Sequence, residues 1–168
     1  MINEKLRSRS QKITTLKYEK PSATVDGKPV SVSFSHTNEA ICAVLSDSWV
    51  VGIDMESSER EVSERLSTRM KHHKETLKFY KDHPIIQIWT MKEAALKAIG
   101  TGLRKPMNSV SLKPVNKYVT EVEFFNGISA NICSFQKDNK WISICYIPTE
   151  SSESFLAKSY VPIHSARD

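Results

Sequence analysis

The sequence lacks any apolar run approaching the roughly 20 residues needed to cross a bilayer. Its first residues, Met1 to Lys12, are charged and hold no apolar h-region, so no secretory signal is expected. Cysteine is scarce. Cys42, Cys133 and Cys145 are odd in number and lack metal-ligand spacing, which argues against both a disulfide framework and a zinc site. Buried thiols in a reducing cytoplasm are the expectation, with no membrane association. No internal repeat or low-complexity segment is present. Nor is there an aromatic-rich RNA motif or a recognition-helix pattern, so nucleic acid is not an expected partner.

What remains fits an ordinary folded domain. The chain has 168 residues, enough for one domain or for two small halves sharing a core. A hydrophobic fraction of 39% with 26% charged residues is far from a disordered composition. Lys and Arg number 24 against 19 Asp and Glu, and the net charge of +5 points to anionic partners without choosing among them.

Residues 1–20 are basic and polar. Residues 22–55 read as β structure, starting with an Asp26-Gly27 turn between Val25 and Val30. Val30, Val32 and Phe34 alternate with Ser31, Ser33 and Ser35, the pattern of a half-buried strand. Two further runs, 40–45 and 49–53, follow, and the second ends in Asp54-Met55-Glu56. Residues 59–82 switch to helical spacing through Val62, Leu66, Met70, His73, Leu77 and Tyr80, which places His73 at the core or its boundary. Pro84 suits the start of a second helix over 85–99, stopped by Gly100 and Gly102. Four strands follow, at 110–113, 118–125, 128–135 and 140–147, joined by turns at Asn126-Gly127 and 137–139. From Pro148 onward a polar tail is expected. The order of strands, helices and strands predicts an α+β fold with antiparallel sheets.

Three carboxylates carry the chemistry. Asp54 and Glu56 stand two apart at a strand end and share a face. Glu93 lies mid-helix, with Lys97 at i+4 on its face and Trp89 one turn before it. Oxygen ligands without paired Cys or His suit a hard ion such as Mg²⁺, with substrate phosphate completing the shell. A polar strand end and a surface ion pair between Glu93 and Lys97 remain alternatives on these residues alone.

The motifs narrow the choice. Gly52-Ile53-Asp54-Met55-Glu56 fits G-x-D-x-E. Residues Trp89 to Lys97 fit W-x-x-K-E-A-x-x-K, and Gly100-Thr101-Gly102-Leu103 continues as G-x-G-L. Ser33-Phe34-Ser35-His36 precedes both. The combination, over about residues 18 to 147, resembles the 4'-phosphopantetheinyl transferase superfamily, in particular the surfactin-synthetase-activating type. The resemblance implies transfer of the phosphopantetheine arm of coenzyme A to a serine of an apo carrier protein, acyl or peptidyl, with release of 3',5'-ADP. It implies that Asp54, Glu56 and Glu93 hold Mg²⁺, with Glu93, Lys97 and Asp54 as the catalytic set and Glu93 as general base. Lys97, Ser35 and His36 would bind coenzyme A phosphates. Lys20 and Pro21 are preferred over Gly27-Lys28-Pro29 as the turn beside the adenine, with Arg7, Arg9 and Lys12 near the 3'-phosphate.

One departure stands out. Only about 50 residues precede the G-x-D-x-E motif, so a single domain over 1–150 would have a reduced first half (about 1–48) and a complete second half (about 49–147), with 148–168 as tail. A relative that binds coenzyme A or carrier protein without transfer is the alternative. Monomer and homo-oligomer are both open.

Overall fold

The computed structural model describes residues 11–14 and 20–148. Arg7, Arg9 and nearly all of the expected tail lie outside these residues. The chain forms two antiparallel sheets. The first has the order β1-β2-β3-β4, from β1 (Gln11–Thr14), β2 (Ser22–Val25), β3 (Lys28–His36) and β4 (Ile41–Ser46). The second has the order β5-β9-β8-β7-β6, from β5 (Trp49–Ser57), β6 (Val110–Pro114), β7 (Val119–Phe124), β8 (Ser129–Lys137) and β9 (Lys140–Pro148). Helices α1 (Glu64–Met70), α2 (Leu77–Asp82) and α3 (Ile85–Ala98) fall between β5 and β6. The fold is α+β, as the sequence order implies. Among the described residues every α-helix follows β5, and none is long and apolar enough to cross a membrane.

Local chemistry sets the turns. Asp26 and Gly27 both take positive φ, the two-residue geometry whose twist matches a β-hairpin. Asp138 and Asn139 do the same between β8 and β9. α3 ends in a Schellman arrangement: the Gly100 N–H donates to Lys97 O and the Thr101 N–H to Leu96 O, with Gly100 at φ 73°.

Helix α3 is the centre of the core. Eleven of its fourteen residues are buried, so it is apolar on nearly every side, as expected of an interior helix. Ile88, Met91, Ala95 and Leu96 cluster with Leu112, Val122, Ile132 and Ile147 of the second sheet. On β5 the helix comes so close that a Cβ on Gly52 would stand 2.1 Å from Ala94 O and 2.4 Å from Ala98 N. The glycine of G-x-D-x-E is therefore a packing requirement.

Three serines join the sheets. β5 is an edge strand, and its outward N–H groups at alternate residues need acceptors. Those of Val51, Ile53 and Met55 donate to the Oγ atoms of Ser31, Ser33 and Ser35, at 2.9, 3.1 and 3.1 Å. This corrects the simple alternation read for β3. Ser33 and Ser35 are buried and Phe34 is exposed, because the hydroxyl row caps a strand edge.

The single helical stretch expected over 59–82 is also corrected. Lys71 and Thr76 are extended, which divides it into α1 and α2. Between them Glu75 turns inward and accepts the His72 N–H at 2.9 Å. His73 is consequently exposed.

Replacing Gly52 by Ala drives a Cβ into helix backbone, which no rotamer change relieves. Gly52→Ala is expected to lower stability by at least about 2 kcal/mol, read from the midpoint of urea unfolding. An unchanged midpoint contradicts the close packing.

Candidate active site

The seam between the sheets delivers the acidic residues. Asp54 and Glu56 follow Gly52 on the same face of β5, the face met by α3. Asp54 Oδ1 accepts from Lys97 Nζ at 2.7 Å and from Ser35 Oγ at 3.0 Å. Ser35 thus receives the Met55 N–H and donates to Asp54, fixing that carboxylate. Its hydroxyl holds Asp54 in place. Asp54 Oδ2 is buried and has no hydrogen-bond partner.

The other two carboxylates lie close by. Glu56 pairs with Arg60, whose guanidinium also lies 4.7 Å above the Trp89 ring. Burial raises the Glu56 carboxyl above its ordinary range, with Arg60 opposing and Asp54 adding to the rise. Glu93 is pushed up to about 7, first by burial and then by the negative charge of Asp54 and Glu56. The three carboxylates sense one another. Among the described residues, however, no three His, Cys, Asp or Glu side chains stand closed around a single point. Lys97 draws Asp54 and Arg60 draws Glu56.

The donor chemistry is of the kind a hard divalent cation takes. The donors are all carboxylate oxygens, one of them buried and unpartnered, and Glu93 is held against ionisation by its acidic neighbours. A cation would relieve both.

A cleft of about 310 Å³ opens beside this cluster. It is lined by Lys20, Pro21, Ser33, Phe34, Lys97, Gly100, Thr101, Gly102 and Arg104. Lys20, Pro21 and Lys97, read from the sequence as coenzyme A contacts, are in this lining, and Phe34 and Arg104, to which no such role was given, stand with them. Arg104 curls back on the end of α3, donating to Gly100 O at 2.6 Å and to Thr101 O at 3.1 Å. The Lys20 ammonium is turned inward. It donates to Ser31 Oγ, Val51 O and Ala98 O at 3.2, 2.8 and 2.9 Å, which fills its three N–H positions. Burial lowers its pKa to about 8. It ties β3, β5 and α3 into one cleft wall, while Lys28 is exposed on the first hairpin. His36 is exposed at the end of β3, two residues beyond Phe34 on the same face. Lys12 is exposed on β1.

Lys92 has a separate task. It is fully buried, 2.7 Å from Glu75 Oε1, and donates to Val110 O at 3.0 Å. Glu75 also accepts from Tyr80 Oη at 2.6 Å and the Leu112 N–H at 2.9 Å. The helix motif therefore sends one charge into a satisfied interior pair and the next, Glu93, toward the cleft side. Glu75 was missed because a lone Glu beside Lys74 reads as surface. A buried lysine in an apolar helix was the available signal that a partner must exist.

A protein-family model for the 4'-phosphopantetheinyl transferase superfamily matches residues 50–151. This chain belongs to that superfamily. The match covers β5, the three helices and the second sheet, so it contains Asp54, Glu56, Glu93 and Lys97. Phosphopantetheine transfer is the family's general class of reaction, with coenzyme A and carrier proteins as its general partners. A search of curated proteins returned no match to the chain.

Two predictions follow from these charges. Glu75→Gln leaves Lys92 buried without its counter-charge and should cost about 3–5 kcal/mol, whereas the apolar pair Glu75→Leu with Lys92→Met should recover much of that loss. Urea unfolding of the three proteins decides it; a double variant no better than the single one refutes the pairing. The second concerns pH. A glutamate raised from 4.5 to about 7 keeps a proton in the folded chain that the unfolded chain releases. Stability without divalent metal therefore falls as pH rises through that window. Glu93→Gln should melt above wild type at pH 8 in EDTA and level with it at pH 4. Equal melting temperatures at both would show that Glu93 is not strained.

Proposed function

We propose that this protein moves the 4'-phosphopantetheine arm of coenzyme A to a serine of an apo carrier protein, releasing 3',5'-ADP. The carrying observation is the 2.7 Å contact of Lys97 with Asp54, within electrostatic reach of Glu93, beside a cleft that Lys97 also lines. Asp54, Glu56 and Glu93 would hold Mg²⁺, which when bound would offset charge on the coenzyme A pyrophosphate. Glu93, on the same helix face as Lys97, would take the proton of the carrier serine. The serine oxygen then bonds to the β-phosphorus and the bond from that phosphorus to the bridging oxygen breaks. Lys97 supplies a fixed cation to the leaving phosphate from a position anchored by Asp54. Phe34 and Pro21, in the cleft wall, would offer an apolar surface to the adenine, and His36, exposed two residues beyond Phe34, would meet a phosphate.

A second groove, of about 390 Å³, shares Trp89 with this region. Leu66, Met70, Leu103 and Met107 line it, with Arg69 and Lys105 also in its wall. An apolar trough with basic edges suits an acidic amphipathic helix, the chemistry expected of a carrier protein.

The test is direct. The purified chain is incubated with apo carrier protein, coenzyme A and Mg²⁺, and the carrier is weighed by intact mass spectrometry. A gain of one phosphopantetheine arm is expected, and Asp54→Ala should abolish it. Coenzyme A binding without mass gain on any fatty-acid, polyketide or peptide-synthetase carrier would instead identify a relative that binds and does not transfer.

A further inference from the structure

Arg60 stands outside every motif in the sequence, yet it is the cation nearest the outer carboxylate of the candidate site. Its guanidinium pairs with Glu56 and lies over the Trp89 ring, 4.7 Å from its centroid, within cation–π range. Trp89 in turn is one helical turn from Glu93, and the Arg60 charge acts on Glu93 as well as on Glu56. Asp54, 4% exposed, keeps Oδ2 buried and unpartnered in the same cluster.

We propose that Arg60 is a tethered, displaceable counter-cation that competes with divalent metal for the carboxylate cluster. The inference rests on the metal-site reading given above. Three features support it. First, Arg60 occupies a Glu56 oxygen that a metal would need. Second, the pair is surface-like, with side chains 41% and 22% exposed for Arg60 and Glu56, and exposed pairs of this kind are weak and exchange readily. Third, the Trp89 face gives the guanidinium a second contact that survives loss of Glu56, so displacement does not leave it unsupported. Lys97 cannot play this part equally. It is anchored by Asp54 and by Phe34 O at 3.4 Å, and Ser35 shares the Asp54 oxygen it binds.

The consequence is a site that keeps its carboxylates apart and partly neutralised until metal arrives. Arg60 then weakens metal binding while protecting the metal-free fold. Removing the competing charge should tighten metal binding, opposite in sign to the effect of removing a ligand.

The test measures metal alone, without coenzyme A or carrier. Mn²⁺ is titrated into the intact chain and the free ion is followed by electron paramagnetic resonance. Arg60→Gln is expected to bind Mn²⁺ about tenfold more tightly than wild type, equivalent to about 1.4 kcal/mol. Arg60→Lys, which keeps the charge, should stay near wild type. Lys113→Gln removes an exposed charge on β6 and should change nothing, which separates local competition from net charge. Wild type that binds Mn²⁺ as tightly as Arg60→Gln, or more tightly, overturns the proposal and leaves the metal site standing. Failure of every variant to bind Mn²⁺ overturns the metal site itself and this inference with it. Tight binding by Arg60→Gln alone supports both.

Discussion

The approach of α3 to β5 at Gly52 is the contact on which the site depends. Backbone lies against backbone there, with no side chain between. Only that distance lets a lysine on the helix reach an aspartate on the strand at 2.7 Å. The helix is otherwise fixed by apolar packing against β6–β9 and by a hydroxyl chain in which Thr90 meets Ser143 at 2.8 Å. Packing sets where the helix lies, and Gly52 sets how near it comes. The functional spacing is therefore a by-product of core density, and interiors at crystal-like density do not tolerate an added methyl group at such a point.

The second constraint is the serine row. An edge strand that ended the second sheet in open solvent would leave Asp54 beside water and beside unpaired backbone. Ser31, Ser33 and Ser35 remove that edge without the bulk of a further ladder, because a hydroxyl both accepts and donates. Ser35 uses both capacities, receiving Met55 N–H and supporting Asp54. Lys20 adds a crosslink at the other end of the seam by bonding to carbonyls of β5 and α3. A first sheet that carries no α-helix among its described residues can still wall a cleft, since its role at this seam is to cap β5.

Much of this was legible beforehand. The hairpin turns follow from Asp-Gly and Asn-Gly chemistry, and the meander strands follow from alternation. Asp54, Glu93 and Lys97 follow from motif spacing, and the structure brings Asp54 and Lys97 into direct contact. The misses share a cause. Alternation assigns Val32 and Phe34 to the covered face of β3; Val32 is buried as assigned, but Phe34 is exposed and Ser33 and Ser35 are buried, because a strand edge that needs acceptors covers the serine face. Helical spacing over 59–82 counts apolar residues and cannot see that Glu75 must turn inward to meet Lys92. Arg60 reaches Trp89 only in three dimensions, while its pairing with Glu56 and the bonds of Arg104 to Gly100 O and Thr101 O are local contacts that belong to no motif.

The two adjacent charges on α3 show how one helix separates structure from chemistry. Lys92 and Glu93 are both buried, about 100° apart around the axis. Lys92 meets a carboxylate whose remaining lone pairs are taken by Tyr80, His72 and Leu112, so nothing about it is left to react. Glu93 meets other carboxylates and is pushed toward its neutral form. Both burials cost free energy, but only the first is offset within the fold. The second is opposed only in part, by Lys97 and Arg60. One helix thus carries an interior charge that the fold fully satisfies and, one residue on, another that it satisfies only in part.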